Sequence, residues 1–322
     1  MISDILSITP GCDEIDEWFT NKLQLHVDSG LYPNMQSLQS IKNSIVKTLE
    51  EYKQVHQLQD VVIGMSGGVD SALTAALFKE AGWNVTGVTL PIHQDPVETE
   101  RGVEACEKLG INHKQVDLTQ AFESYLEHAT QEVDAELYSR DFYKDKDARV
   151  RGGNIRARLR MITLYNQASL HKGIVGSTDN FSELAAGFWT LHGDVGDVAP
   201  IQSLSKSWEV PMLAKMLGVP QATVEALPTD GLGISNSDAD QLGCSYLEFD
   251  IALFELLSLP RIDKNTIELY INNITDNKAN AIIELVYNRI KNTSYKRANP
   301  YNIEHPINKD RFELLNILDR SL

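Results

Sequence analysis

Ser66, Asp70 and Ser71 fall in a run, DVVIGMSGGVDS over residues 60–71, whose residue types point to anion binding. Val61, Val62 and Ile63 form the short apolar stretch of a buried parallel strand. Gly64, Gly67 and Gly68 let the backbone turn and approach a ligand with no Cβ in the way. The serines add hydroxyl donors, Asp70 adds a carboxylate, and a helical pattern, SALTAALFKEAG, follows at once. A strand, a glycine-rich turn and a helix N-terminus aim free N–H groups and the helix dipole at one place, which suits phosphate. The loop is not a Walker A motif, because no lysine lies between Gly64 and Ser71.

Further groups of chemical interest follow. GSTDNFSELAAGF, 176–188, leaves a strand and opens a helix, with Asp179 or Asn180 as N-cap and Glu183 in the first turns. Taken alone, Glu183 reads as a carboxylate complementing the helix dipole. HGDVGDVAPI, 192–201, brings Asp194 and Asp197 toward the next strand, SLSKSWEV carries Lys206, and EALPTDGLGIS carries Thr229 and Asp230. RGGNIRARLRM, 151–161, is the dense basic cluster, with Arg151, Arg156, Arg158 and Arg160. Helical spacing puts Arg156 and Arg160 on one face and turns Arg158 elsewhere, with Ile155, Leu159 and Ile162 as the expected core stripe. For Arg156 and Arg160, a solvated basic face paired with acidic neighbours is an equal reading.

The S-G-G-x-D-S loop resembles the pyrophosphate loop of the N-type ATP pyrophosphatases, which cleave ATP between the α and β phosphates. The ordered set SGGVDS, NIRARLRM, GSTDNFSELAAGF, HGD, LSK, PTDGL and YKR is similar to the NAD synthetase family over roughly residues 60–300. Members amidate nicotinic acid adenine dinucleotide (deamido-NAD) through an adenylate, releasing AMP and pyrophosphate. The resemblance implies that Gly64, Met65, Ser66, Gly67, Gly68, Val69, Asp70 and Ser71 hold the ATP phosphates, with Thr178, Lys206 and Thr229 also on ATP. It implies Mg²⁺ on Asp70 and Glu183, and Arg158, Asp197 and Lys296 on deamido-NAD. Asp70, Lys206 and Asp194 are then the catalytic candidates, Asp194 as the group that handles ammonia. The adenylate must be kept from water, and residues 229–245, with Gly231, Gly233 and Gly243, are the expected lid.

The chain departs from the family pattern at four places. Leu191 stands where members often have lysine, the spacing before Asp197 is one residue shorter, Tyr295–Lys296 replaces a histidine–lysine pair, and Thr89 stands where many have arginine. His192 is a replacement cation for the first, and His93 or Gln94 a replacement contact for the last. Some members carry an N-terminal glutaminase domain. Here 59 residues precede the strand, which predicts use of free ammonia or of ammonia from a partner. Short members are homodimers, so a homodimer is expected. Two rival readings are another amidating or adenylating ATP pyrophosphatase, and a noncatalytic nucleotide-binding homologue. Retention of both Asp70 and Glu183 weighs against the second.

The elements that must position these groups alternate βαβα, which predicts an α/β doubly wound parallel sheet with helical N- and C-terminal elaborations, of the adenine nucleotide α-hydrolase-like kind that the resemblance implies. Strands are expected at 60–65, 84–91, 111–118, 173–179 and 197–201, and helices at 38–58, 71–81, 97–110, 119–137, 149–171 and 207–218. Residues 1–58 read as an N-terminal helical arm, with the first 36 ambiguous, and 59–322 as the ATP-pyrophosphatase domain, helical from about 246. The 322 residues are 42% hydrophobic, enough for a large core. A net charge of −16 argues against nucleic acid or anionic membrane as partners. Cys12, Cys106 and Cys244 are scattered with no CxxC, so a reducing cytoplasm is the expected compartment. The N-terminus lacks the features of a signal peptide, and no apolar run is long enough to span a bilayer.

Overall fold

The computed structural model describes residues 1–9, 15–130, 146–229 and 237–300. In chain order the first elements are α1 (Ile2–Ile8), α2 (Glu17–Asp28), α3 (Met35–Val55), β1 (Asp60–Gly64), α4 (Val69–Glu80), β2 (Asn84–Thr89) and α5 (Pro96–Leu109). Then come β3 (Asn112–Gln115), α6 (Thr119–Tyr125), α7 (Lys146–Leu170), β4 (Ile174–Val175), α8 (Phe181–Ala186), α9 (Glu209–Met216) and α10 (Gln221–Val224). The described chain ends with α11 (Asp238–Leu242), α12 (Tyr246–Leu257), α13 (Lys264–Asn272), α14 (Asn277–Asn292) and α15 (Ser294–Arg297).

The sheet is parallel, in the order β3-β2-β1-β4. Alternation along β1 sends Val61 and Ile63 into one core and Val62 into another. The first core holds Leu73, Leu77 and Phe78 of α4. The second holds Met161, Leu164 and Ala168 of α7. Helices therefore cover both faces, which makes the sheet doubly wound.

Several details differ from the sequence reading. The fifth strand shrinks to one parallel bridge, Gly176↔Val198, beyond β4. The Asp197 side chain bonds the Val175 amide at 2.9 Å, and Pro200 has no N–H to extend the ladder. The helix expected over 119–137 stops at Tyr125 and passes into a π-helical turn, Leu126–Thr130. Residues 131–137 lie outside the described ones. In α7 the buried stripe is Ala157, Met161, Leu164 and Ala168, whereas Ile162 is 67% exposed. Of the expected stripe, Ile155 and Leu159 are partly buried and pack against this core, and only Ile162 turns away from it.

The first 36 residues, ambiguous in sequence, form α1 and α2. Ile5, Phe19 and Leu23 are fully buried in the same core as Trp208 and Phe254. Trp208 Nε1 donates to Pro33 O at 2.8 Å, and Thr9 Oγ1 to Ser207 O at 2.9 Å. On α12, Glu255 gathers His26 (2.8 Å), Lys22 (2.6 Å) and the Tyr270 hydroxyl, tying α2 and α13 to it.

Candidate active site

β1 ends at Gly64, and the chain turns through residues 65–68 into α4. Gly67 makes the turn with φ +86°, and a Cβ there would stand 2.0 Å from Glu98 O, so no side chain fits. Arg101 Nε fixes the turn from α5 by donating to Gly67 O at 3.2 Å. Ser71 Oγ donates to Gly68 O at 3.0 Å and accepts from Ser66 N at 3.3 Å. The loop borders a cleft of about 470 Å³ at the carboxyl ends of the strands.

Asp70 lies in the first turn of α4. Its Oδ1 accepts from Asn180 Nδ2 at 2.9 Å, and its Oδ2 contacts Lys206 Nζ. Asn180 is the N-cap of α8, with Glu183 completing a capping box: Asn180 N donates to Glu183 Oε2 (3.2 Å) and Glu183 N to Asn180 Oδ1 (3.0 Å). The other oxygen of Glu183 is 3.9 Å from Lys206 Nζ. Lys206 thus lies between Asp70 and Glu183, 5.6 Å above the ring of Tyr246, whose hydroxyl donates to Asp238 at 3.0 Å.

Negative charge is in surplus here. Burial, then Asp70, raises the Glu183 pKa well above the usual carboxylate range, with Lys206 only partly offsetting them and Asp238 adding to them. Burial opposes the charge on Lys206, but Asp70, Glu183 and Asp238 outweigh it and raise its pKa. The ammonium is firmly held, while the carboxylates still favour a further cation. Among the described residues no group of three or more His, Cys, Asp or Glu side chains could hold a metal ion by itself. Two hard oxygen donors, Asp70 and Glu183, nonetheless fit a Mg²⁺ whose other ligands are phosphate oxygens and water.

Thr178 lines the cleft between the loop and α8. Thr229 lines it too, and its hydroxyl donates to Glu98 at 2.7 Å. At the other end, Asp194 Oδ2 accepts from Thr190 N at 2.6 Å, and burial raises the Asp194 pKa. Lys296 Nζ donates to Gly187 O (2.7 Å) and Trp189 O (2.5 Å). Burial lowers the Lys296 pKa, with Asp194 opposing.

Three predicted residues stay outside the cleft lining: Gly67 at the back of the turn, Arg158 and Asp197. Arg158 is exposed on α7 and donates to Leu191 O at 3.2 Å. Asp197 is bound to Tyr165 OH (2.8 Å) and Val175 N, at the sheet edge. His192 faces Asn299 at 3.4 Å, Thr89 is buried against His113, and Tyr295 is exposed. Of the expected lid, residues 230–236, Gly231 and Gly233 included, lie outside the described ones, as does Cys12. Gly243 closes α11 with φ +87°.

Tertiary structure adds residues that the sequence reading did not place. Arg160 lines the cleft and donates to Leu90 O (3.0 Å) and Gln94 Oε1 (3.2 Å), whereas Arg156 is buried 4.9 Å over Phe122. Asn180 was readable through its N-x-x-E capping spacing, although its bond to Asp70 was not. Asp238 and Tyr246 carry no local signal.

The family described as NAD synthase matches residues 41–300. The chain is 36% identical over 237 residues to the NH3-dependent NAD+ synthetase of Alkaliphilus oremlandii, covering 72% of this chain and 92% of that one. Two solved structures share the architecture at 27% identity, each covering 83% of this chain and 99% of the other. They are an NMN synthetase from Francisella tularensis, TM-score 0.67, and an NH3-dependent NAD synthetase from Campylobacter jejuni, TM-score 0.62. Matched over this length, and with the loop, capping box and lysine converging on one cleft, the chain belongs to the NAD synthase family.

Proposed function

We infer that the chain is a ligase that amidates deamido-NAD with ammonia at the cost of ATP, forming NAD, AMP and pyrophosphate. The observation that carries this reading is the surplus of carboxylate around Lys206, next to a glycine-rich turn at a helix N-terminus. Such a site suits a metal-bound polyphosphate. Mg²⁺ held by Asp70 and Glu183 would supply charge neutralisation to the departing pyrophosphate.

The chain's own groups divide the work. The turn over residues 64–71 with the N-terminus of α4, and Lys206, bind and orient the phosphates, and Thr178 and Thr229 hold them from two sides. Lys206 shifts its ammonium from Asp70 toward phosphate oxygen when the nucleotide enters. The substrate carboxylate attacks the α-phosphorus, and the bond to the β-phosphate oxygen breaks. Ammonia then attacks the carbonyl carbon, its proton passes to a base, and AMP leaves with the bonding electrons. Asp194, its pKa raised by burial, is suited to hold ammonium and take that proton. Lys296, beside Trp189, reaches the dinucleotide.

Arg158 acts with Asp197 from the α7 side, and a second copy of the chain completes that end in a homodimer. Arg158, the 67% exposed Ile162 and Tyr165 lie at helical spacing on one face of α7, which supports such a contact. No described helix is long and apolar enough to cross a membrane. Buried free thiols at Cys106 and Cys244 support a reducing, cytoplasmic setting. Residues 59–322 carry the catalytic unit, with 1–58 as its helical arm.

The Francisella tularensis neighbour, an NMN synthetase by name, favours one second reading: the mononucleotide as acceptor. The test incubates the protein with Mg²⁺, ATP and ammonium chloride, with deamido-NAD or with nicotinic acid mononucleotide. Equal yields of NAD and AMP, abolished in Asp70→Ala, support the first reading. NMN in preference to NAD supports the second. No ATP cleavage with either acceptor sinks both.

A further inference from the structure

Lys206 sits in a segment whose own amides are held by side chains rather than by regular secondary structure. Ser205 N donates to Glu209 Oε2 at 2.8 Å, Lys206 N to Ser182 Oγ at 3.0 Å, and Ser207 N to Asp250 Oδ2 at 2.9 Å. Ser182 Oγ in turn donates to Asp250 Oδ1. One carboxylate on α12 therefore holds both the residue after Lys206 and the residue before Glu183. Asp250, Ser182 and Ser207 are fully buried, and none of them lines the cleft.

The geometry points to Asp250 as a positioning residue: through Ser182 and the Ser207 amide it fixes the Lys206 segment against α8, and so sets where the Lys206 ammonium meets the phosphates. This rests on the reading that Lys206 serves the ATP phosphates. The physical case is one of cost. A carboxylate removed from water is expensive to bury unless each oxygen is satisfied. Here each oxygen accepts a bond from a different element, so the expense yields a fixed spacing between α8 and the segment that carries Lys206. An apolar residue at 250 would leave the Ser207 amide without its acceptor. An asparagine of the same shape still offers an oxygen to Ser207 N and an amide to Ser182 Oγ.

The test is a set of steady-state measurements, kcat and KM for ATP, on the full-length protein. Asp250→Ala and Ser182→Ala are expected to lower kcat by about tenfold to a hundredfold, with KM for ATP within about threefold, as for a misplaced group that acts in the transition state. Asp250→Asn should restore kcat to within about threefold of wild type. The deciding arm is the Lys206→Ala background, in which adding Asp250→Ala or Ser182→Ala should change kcat by less than about twofold. A full further loss there would mean that Asp250 supports the fold at large, and would overturn the assignment. Unchanged kcat in Asp250→Ala and Ser182→Ala would overturn it as well. If Asp250→Ala does not fold, the Ser182→Ala cycle decides alone. Wild-type kcat in Lys206→Ala is a separate failure: it removes Lys206 from the phosphate site, and Asp250's proposed target with it.

Discussion

Two buried clusters, each with a lysine, stand in this molecule and behave oppositely. In the cleft, Asp70, Glu183 and Asp238 surround the single ammonium of Lys206, and Glu183 is left with a strongly raised pKa. Away from the cleft, Glu255 has the reverse ratio. Burial pushes its pKa up, but hydrogen bonds from His26, Lys22 and Tyr270 outweigh that and bring it down to about 2. The first cluster is short of positive charge and faces open space. The second has three donors on one carboxylate and joins α2, α12 and α13. A carboxylate well supplied with donors from neighbouring helices acts as a rivet. One with too few keeps a raised pKa, as Glu183 does beside the open cleft.

Mutations can break this contrast. The largest effect is expected from Asp70→Ala, with kcat falling by at least about 10³-fold. Its thermal midpoint should move less than that of a Glu255 variant, because Lys206 keeps Glu183 at 3.9 Å. Assay and calorimetry on one preparation check both halves. Next, Glu183→Gln should cost about 10²-fold in kcat while leaving stability unchanged or improved, since a buried charge disappears. A large loss of stability would show that the cleft cluster is structural after all.

Glu255→Gln should invert that pattern, lowering stability at pH 7 by about 3 kcal/mol with kcat per folded molecule retained. Its pH dependence has a definite sign. The folded carboxyl titrates near 2, below the ordinary 4.5, so its contribution is complete above about 4.5 and is lost as pH falls toward 2. Denaturant titrations of wild type and Glu255→Gln should therefore differ by a constant amount from pH 7 to about 5 and converge below that. The smallest effect is expected from Tyr270→Phe, about 1 kcal/mol, because His26 and Lys22 remain on Glu255.

The two clusters also differ in how readable they were. Asp70 was visible because the loop that carries it is contiguous: an apolar strand, three glycines and a helix start within twelve residues. Glu183 was visible only through the family resemblance, since one carboxylate in a helix's first turn otherwise reads as a dipole partner. The Glu255 rivet was not visible at all. His26 lies 229 residues away, and no period links them. One position of the α7 stripe was misread for a related reason: apolar residues on a helix show that it has a buried face, but when Ile162 and Met161 are neighbours only the packed sheet tells which of them it takes.

By itself, the sequence determined the parallel α/β scaffold, the glycine-rich turn that leads into a helix and the capping pair at Asn180 and Glu183, because strand periodicity, glycine spacing and capping pairs are local and survive without knowledge of neighbours. Only the tertiary structure decided that Lys206 lies between Asp70 and Glu183, that Asp250 ties its segment to α8, that Asp197 bonds Tyr165 and the Val175 amide and that α1 and α2 join the main core. Those facts depend on distances between residues far apart in the chain. The surplus or deficit of charge at each buried carboxylate does not exist until folding sets those distances.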